Sequence, residues 1–241
     1  MVLNFYKYQG TGNDFVMIDN RENVFDKQNI KLVQLLCDRK FGIGADGLIL
    51  IENLEDLDFN MIYFNADGTQ SFCGNGSRCA VSFAKFLGII DSQALFLSTD
   101  GEHEAWISQN GEVSLKMHDV KTIEKGDEHY FIDTGSPHYI KEVDNLKGFD
   151  VFAKGKSIRN NDRFKKEGTN VNFVKFNREN IEIRTYERGV EDETLSCGTG
   201  VTASALAWAD KLKLPYGKVD VKTEGGNLSV GFKRNENGFY D

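Results

Sequence analysis

Short apolar segments separated by polar turns fill most of the chain, and this pattern predicts a fold rich in β-strands with few helices. A helix is predicted at residues 29–39, where the five apolar residues between Ile30 and Leu36 have helical spacing. Two further helices are predicted after Gly-rich turns, at residues 76–87 and 200–211. Strands are predicted at residues 5–8, 15–19, 47–52, 59–64, 95–99, 103–107, 112–117, 130–133, 139–143, 171–176, 180–186, 219–223 and 227–232.

The two halves of this pattern repeat each other. A Cys-Gly-x-Gly turn occurs at Cys73 and again at Cys197, 124 positions later. Three other pairs of segments match at nearly the same offset: residues 10–16 with 133–139, 45–50 with 169–174, and 98–101 with 222–225. Gly-rich turns could recur by accident in a chain with 24 glycines, but the matched segments keep one order. We therefore predict a tandem duplication of a unit of ordinary domain size, with lobes at residues 1–118 and 119–241.

The repeat is incomplete at the C-terminus. In the first half, the Asn110-Gly111 turn is followed by the predicted strand at 112–117, whereas Asn237-Gly238 is followed only by residues 239–241. The sequence thus predicts that the last strand of the second lobe is cut short.

Composition and charge exclude several classes of protein. The net charge of −8 and the pI near 5.1 argue against a nucleic-acid-binding protein, which usually carries a basic face. No apolar run approaches 18 residues, so no membrane span is predicted. The N-terminal segment lacks the layout of a signal peptide, and we expect a cytoplasmic protein. Four cysteines are too few for a disulfide scaffold and are expected to be thiols.

The two Cys-Gly turns suggest acid–base chemistry. Cys73 and Cys197 each come just before a predicted helix, where unpaired backbone N–H groups can bind an anion and lower the pKa of a thiol. Two such helix ends could hold a carboxylate and stabilise the negative charge that grows on it when the α-proton leaves. A thiolate and a thiol on opposite sides of a carbon could move a proton from one face to the other. No nucleotide or pyridoxal-phosphate signature is present, so no cofactor is predicted.

The cysteines could also have other roles. Cys37 and Cys79 are interpreted as small buried hydrophobes within helices. A metal site is not predicted, because the spacing of Cys73 and Cys79 differs from that of zinc ligands and no Cys/His pair follows. A Cys–His nucleophile with His138 as the base stays open, but it leaves the second Cys-Gly turn unexplained.

These motifs resemble the diaminopimelate epimerases, a family of cofactor-independent amino-acid epimerases, over essentially the whole chain. The motifs are Gly12-Asn13-Asp14-Phe15, Gly42-Ile43-Gly44-Ala45-Asp46-Gly47, Phe64-Asn65-Ala66-Asp67-Gly68, Cys73-Gly74-Asn75-Gly76-x-Arg78-Cys79, Pro137-His138, Asn170-Val171-Asn172, Tyr186-Glu187-Arg188-Gly189 and Glu193-Thr194-x-x-Cys197-Gly198-Thr199-Gly200. The resemblance implies an α/β fold of the α+β type. Its two pseudo-symmetric lobes would each be a curved mixed sheet wrapped around a central helix, with the active site in the cleft between them. It also implies a homodimer.

The resemblance further implies the reaction and the residues that perform it. The family interconverts L,L- and meso-diaminopimelate, in the routes to lysine and to peptidoglycan precursors. Cys73 and Cys197 would be the two acid–base groups, and His138 and Glu187 would tune their pKa values. The other implied substrate-binding residues are Gly74, Asn75, Gly198 and Thr199 for the reacting carboxylate, and Asn13, Asn65, Asn170, Glu187 and Arg188 for the remaining amino and carboxylate groups.

Alternatives remain for these polar residues and for the substrate. Asn13 and Asn65 could be turn formers, His138 a loop residue, and the adjacent Glu187 and Arg188 a solvated strand end. Ser136 stands where many family members have Asn, which replaces one amide contact by a hydroxyl contact. Two other functions stay open: racemisation or epimerisation of another amino acid, such as a hydroxyproline, and amino-acid binding without catalysis.

Overall fold

The computed structural model describes residues 2–240. These residues form two compact units that divide between Lys116 and Met117. The boundary predicted from the sequence lies two residues later. Within residues 2–240, no helix is long and apolar enough to cross a membrane.

Unit 1 is a seven-stranded sheet with two helices. The strands follow the chain order across the sheet, and the pairs β2–β3 and β4–β5 are parallel while the other pairs are antiparallel. The elements are β1 (Tyr6–Gly10), β2 (Asn13–Asp19), α1 (Ile30–Cys37), β3 (Gly47–Glu52), β4 (Phe59–Asn65), α2 (Gly74–Phe86), β5 (Gln93–Ser98), β6 (Gly101–Ile107) and β7 (Val113–Leu115).

Helix α2 is the centre of unit 1. It packs against strands β1, β2, β3, β4, β6 and β7. A flat sheet could not bring so many strands to one helix, so the sheet curves around α2. Ala80, Val81, Phe83 and Ala84 of α2 are fully buried, and the two alanines allow the strands to approach closely. Helix α1 covers the opposite face of β2 and β3, which explains why every residue of β3 is buried.

Unit 2 repeats this architecture with two added strands. Its sheet has the order β16-β15-β14-β12-β11-β10-β9-β8, and β13 pairs with β12 outside this path. The elements are β8 (Glu124–Lys125), β9 (Tyr130–Asp133), β10 (Pro137–Glu142), α3 (Val151–Arg159), β11 (Asn170–Phe176), β12 (Asn180–Glu187), β13 (Asp192–Thr194), α4 (Gly198–Lys211), β14 (Tyr216–Thr223), β15 (Gly226–Asn235) and β16 (Gly238–Tyr240). Helix α4 is central and packs against β9, β10, β11, β12, β14 and β15.

The register of corresponding strands confirms the predicted repeat. In unit 1, β2 and β3 are parallel with Phe15 opposite Gly47, and in unit 2, β10 and β11 are parallel with Tyr139 opposite Val171. Both residues of the second pair lie 124 positions after those of the first. The predicted fold class is therefore confirmed within each unit: a curved mixed sheet wraps around a central helix.

Two features of unit 2 differ from, or go beyond, the sequence prediction. Helix α3 was not predicted, although it is the counterpart of α1; the Asp150 side chain caps it by accepting the N–H of Ala153 at 2.9 Å. The last described strand, β16, pairs with β15 and has the same three-residue length as β7. Asp241 lies outside the described residues, and a shortened final strand stays a prediction.

Candidate active site

Cys73 is the N-cap of helix α2. The helix begins at Gly74, two residues earlier than the sequence predicted, and the Cys73 backbone is extended with φ −138°. The Cys73 sulfur accepts the N–H of Gly76 at 3.4 Å. A side chain at Gly76 would press on Ile49, since a Cβ there would lie 3.0 Å from its Cδ1. The sulfur therefore lies where helix N–H groups favour a thiolate.

Asn13 contacts the Cys73 sulfur through its side-chain oxygen. The distance from Asn13 Oδ1 to Cys73 Sγ is 3.5 Å. Asn13 Nδ2 donates to Asp46 Oδ2 at 2.7 Å, and Asp46 also accepts from Arg39 at 2.7 Å. Because a carboxylate only accepts, Asp46 fixes the amide nitrogen on its own side and leaves the oxygen toward the thiol. Asp46 was part of a recognised motif, but the sequence did not assign it this role.

We expect Asp46→Asn to lower epimerase kcat/KM by about tenfold, because the fixed orientation of the Asn13 amide is lost. Steady-state kinetics measure the change. The matched control is Asp19→Asn, which removes a carboxylate paired with Arg21 at the end of β2, the strand that begins with Asn13. An equal loss in both variants would contradict an orienting role for Asp46.

Three further predicted residues of unit 1 have clear structural partners. The buried Asn75 accepts from Arg78 at 2.6 Å and from Thr11 at 3.3 Å through Oδ1. Asn65 donates from Nδ2 to Thr69 Oγ1 at 3.0 Å and to Ser71 Oγ at 3.2 Å, so it also orders the turn before Cys73. Gly74, the first residue of α2, accepts from Arg78 through its carbonyl at 3.3 Å.

Arg78 is a residue of this site that the sequence did not single out. It is half-buried beneath the Cys73 turn, and its charge interacts with the Cys73 sulfur. Burial lowers the pKa of the guanidinium, but it remains positive because the pKa of arginine lies far above neutrality. A cation at this position favours the thiolate of Cys73.

The other two cysteines of the helices belong to the core. Cys37 and Cys79 are 3% and 4% exposed. Burial raises the pKa of Cys37 to about 11 and that of Cys79 to about 12. Both therefore remain thiols at neutral pH, which confirms the interpretation of these residues as packing groups.

These environments predict a difference in thiol reactivity. At pH 8, iodoacetamide should alkylate Cys73 and spare Cys37 and Cys79, because the thiolate is the reactive form. Peptide mapping by mass spectrometry identifies the modified positions. All four cysteines should react after unfolding in guanidinium chloride. Modification of Cys79 in the folded protein as fast as Cys73 would contradict the prediction.

Cys197 has the corresponding position in unit 2. It is the N-cap of α4, which begins at Gly198, again two residues earlier than predicted, and its φ is −120°. The Cys197 sulfur lies 3.4 Å from Thr199 Oγ1. Thr134 donates its hydroxyl to the Thr199 carbonyl at 3.1 Å, which ties the first turn of α4 to the end of β9. The predicted residues Gly198 and Thr199 thus form the first turn of the helix.

His138 is buried beside this helix end. Its side chain has no exposed surface, and Nδ1 is 3.1 Å from the amide nitrogen of Asn172. Burial, assisted by the charge of Arg188, lowers the pKa of His138 to about 3. The ring is therefore neutral across the physiological range, and any effect on Cys197 comes from a neutral imidazole and not from a cation.

The remaining predicted residues of unit 2 form one polar cluster. Asn170 accepts the backbone N–H of Arg188 at 2.9 Å and donates to Ser136 Oγ at 2.9 Å. The Arg188 guanidinium donates to Ser136 Oγ at 3.4 Å and to the Glu167 carbonyl at 3.2 Å. The Ser136 hydroxyl thus accepts from both Asn170 and Arg188.

Glu187 lies at the end of β12, next to this cluster. Its Oε2 accepts the hydroxyl of Thr194 at 2.7 Å. Thr194 lies on β13, which pairs with β12 just before Cys197. The short strand β13, which the sequence did not predict, therefore links Glu187 to the segment that carries Cys197.

The chain is similar in sequence to proteins of one known family. The sequence profile of the family described as diaminopimelate epimerase matches residues 5–123 and 130–241. A diaminopimelate epimerase from Flavobacterium psychrophilum is 51% identical over 234 residues, which cover 96% of this chain and 91% of the relative.

Two solved structures share the fold at low sequence identity. A phenazine biosynthesis protein of the PhzF family from Bacillus anthracis has a TM-score of 0.77 and 12% identity, over 98% of this chain and 93% of that chain. A probable proline racemase from Agrobacterium radiobacter has a TM-score of 0.66 and 14% identity, over 99% of this chain and 88% of that chain.

Proposed function

The chain belongs to the diaminopimelate epimerase family, and on that premise we propose that it interconverts L,L- and meso-diaminopimelate by two-base proton transfer between Cys73 and Cys197. The reaction would serve lysine and peptidoglycan precursor biosynthesis. The proposal rests on one observation: in each unit, a cysteine is the N-cap residue of the central helix. Neither a packing role nor a single nucleophile explains two such thiols.

The proposed chemistry needs one thiolate and one thiol. The thiolate removes the α-proton, and the electron pair of the broken C–H bond moves into the α-carboxylate. The second thiol then gives its proton to the opposite face of the carbon. At the end, the two cysteines have exchanged protonation states, so the enzyme is ready for the reverse reaction. General acid–base catalysis of this kind needs no cofactor.

The helix N-termini support the charge that develops on the carboxylate. The first turns of α2 and α4 contain Gly74, Asn75, Gly198 and Thr199, whose backbone N–H groups lie at the positive ends of the helix dipoles. We assign the reacting carboxylate to these groups, because they stabilise negative charge more strongly as it grows.

Specificity for diaminopimelate is assigned to the polar residues around the thiols. The Arg188 guanidinium can donate from two of its nitrogens to the two oxygens of a carboxylate, and Glu187 can accept from an ammonium group. Asn13, Asn65 and Asn170 supply oriented amide groups. The proposal also includes the cytoplasmic homodimer that the family resemblance implies.

A substrate panel tests the proposal. The reduced protein is incubated with L,L-diaminopimelate, L-proline or trans-4-hydroxy-L-proline, and the stereoisomers are separated on a chiral column. We expect meso-diaminopimelate from the first substrate and no isomer of the other two. Turnover of a proline alone would reassign the substrate, and tight binding of diaminopimelate without any isomer would favour a binding protein.

A further inference from the structure

Glu191 adopts a backbone conformation that residues with a side chain disfavour. It lies in the loop that joins the antiparallel strands β12 and β13, and its φ is +57°. Glycine adopts this left-handed conformation readily, whereas other residues rarely do. The backbone N–H of Glu191 donates to the Glu187 carbonyl at 2.8 Å, which closes the loop. A glutamate in this conformation requires contacts that compensate for the strain.

The Glu191 carboxylate supplies such contacts. Its Oε1 accepts the backbone N–H of Gly189 and the Nε–H of Arg159, each at 3.2 Å, and its Oε2 accepts the Tyr186 hydroxyl at 3.2 Å. Gly189 lies in the same loop, Tyr186 is a buried residue of β12, and Arg159 is the last residue of α3. One carboxylate therefore joins the loop to the sheet and to the helix.

Arg159 connects this carboxylate to a second loop. Its side chain is 16% exposed, and its Nη1 donates to the Phe164 carbonyl at 3.3 Å. The backbone N–H of Gly168 donates to the same carbonyl at 2.7 Å, so Arg159 binds this loop where it folds back before β11. The Arg159–Glu191 ion pair, here called the clasp, thus joins the loop at residues 161–168 to the β12–β13 loop.

Both loops hold Arg188, the residue assigned to a carboxylate of the substrate. Arg188 is the first residue of the β12–β13 loop, and its guanidinium donates to the Glu167 carbonyl of the other loop at 3.2 Å. A Cβ at Gly168 would lie 2.7 Å from Arg188 Cδ and 2.8 Å from Arg159 Cζ, so the two arginine side chains lie beside each other at this glycine. The clasp therefore fixes both the backbone that carries Arg188 and the loop that its guanidinium contacts.

The charges around the clasp leave Arg188 able to bind an anion. Arg159 and Arg188 are neighbouring cations, and like charges repel at short distance. The Glu191 carboxylate pairs with Arg159 and compensates for its charge. The Arg188 guanidinium, in contrast, donates to neutral groups, the Ser136 hydroxyl and the Glu167 carbonyl. Its charge is therefore available to a carboxylate.

We propose that the clasp positions Arg188: the ion pair of Arg159 with Glu191 holds the two loops together, and the Arg188 guanidinium is thereby kept in the orientation that binds the non-reacting carboxylate of the substrate. The identity of this ligand rests on the proposed function. Arg159 and Glu191 are positioning residues that act through Arg188. Loss of the clasp should therefore weaken substrate binding and leave the chemical step unchanged.

Amide hydrogen exchange, followed by NMR, tests the clasp without substrate. Glycine adopts a positive φ without strain, so Glu191→Gly would slow exchange in the loop or leave it unchanged if the side chain contributed nothing. We expect exchange of the Gly189 N–H to be about tenfold faster, because its acceptor and the link to Arg159 are both lost. The control Glu124→Gln, which breaks the exposed ion pair with Arg163, should not change it. Unchanged or slower exchange in Glu191→Gly would overturn the proposal.

Steady-state kinetics test the effect of the clasp on substrate binding. In Arg159→Met, we expect KM for L,L-diaminopimelate to rise by about tenfold with kcat unchanged, as for the loss of one charged hydrogen bond. Arg159→Lys keeps a cation beside Glu191 and should recover part of the affinity. Unchanged kinetics in Arg159→Met, or a fall in kcat without a rise in KM, would overturn the proposal.

A double variant tests whether Arg159 acts through Arg188. If it does, Arg159→Met should have little effect once Arg188 is replaced by lysine, so the KM values of Arg188→Lys and of the double variant should agree within about twofold. A KM raised by the product of the two single effects would show independent action and would overturn the positioning role. Failure of the proposed function is distinguishable, because the unmodified protein would then form no meso-diaminopimelate while the Gly189 N–H still reports on the clasp.

Discussion

Alanine at either Cys73 or Cys197 will abolish epimerisation, with kcat lower by about a thousandfold or more. Each cysteine caps the central helix of its unit, and the proposed reaction uses one as the base and the other as the acid. The loss should be similar for both variants and for both directions of the reaction, because the two thiols exchange roles. Chiral chromatography of the products measures the rates.

The matched control is Cys79→Ala, at a cysteine of helix α2 six residues after Cys73. Cys79 is buried in the core and stays protonated, so this variant should retain activity while losing about 1 kcal/mol of unfolding free energy. Circular dichroism and thermal melts establish that all three variants are folded. A folded Cys73→Ala or Cys197→Ala enzyme with more than a tenth of the normal activity would contradict the two-base account.

Replacing Arg188 by lysine will lower kcat/KM for diaminopimelate by about a hundredfold, mainly through a higher KM. The guanidinium is directed by contacts with Ser136 and the Glu167 carbonyl, and Gly168 leaves room for its stem, since a Cβ there would lie 2.7 Å from Arg188 Cδ. Lysine keeps the charge but loses the fork that holds both oxygens of a carboxylate. Steady-state kinetics separate the two parameters.

Arg163→Lys is the control for this substitution. Arg163 pairs with Glu124 on the surface of the same unit, with 2.7 Å between Nη2 and Oε2, and its replacement should leave both parameters unchanged. A fall in kcat without a change in KM for Arg188→Lys would show that the residue acts on the chemical step and not on binding of the carboxylate.

Most of the fold could be predicted from the sequence because the two halves of the chain repeat each other and can be compared. Each long strand is apolar enough to be recognised, and the 124-residue offset predicts that both halves have the same order of elements. Helix α3 was missed because only Val151 and Gly155 of its residues are buried, so it lacks a strong apolar stripe. The repeat could have predicted it as the counterpart of α1.

Both central helices begin two residues earlier than the sequence indicated. Glycine disfavours helical conformation, and the Cys-Gly-x-Gly turns were therefore interpreted as loops. In the structure, the glycines form the first helical turn, and the cysteine before them is the cap. At Gly76 and Gly200, a side chain would meet Ile49 and Asn172 respectively, so packing explains these glycines better than helix propensity does.

The thiols were predictable from local sequence, but the residues that orient their neighbours were not. Asp46 reaches Asn13 across the β2–β3 pairing, and Asn172 meets Thr185 across the β11–β12 pairing. Such partners depend on strand register, which a short motif does not contain. One signal was present in the sequence: Asn170 and Asn172 flank Val171, and residues two apart in a strand lie on one face, so the two amides are expected side by side.

The most direct test of the two-base claim is the fate of solvent deuterium early in the reaction. L,L-diaminopimelate is incubated with the reduced enzyme in D₂O, and both isomers are recovered before equilibrium and analysed by proton NMR and mass spectrometry. The account predicts deuterium at the inverted centre of the meso product, while the recovered L,L-substrate retains its α-proton. Deuterium in the recovered substrate as early as in the product would contradict it, because a single base would then serve both faces.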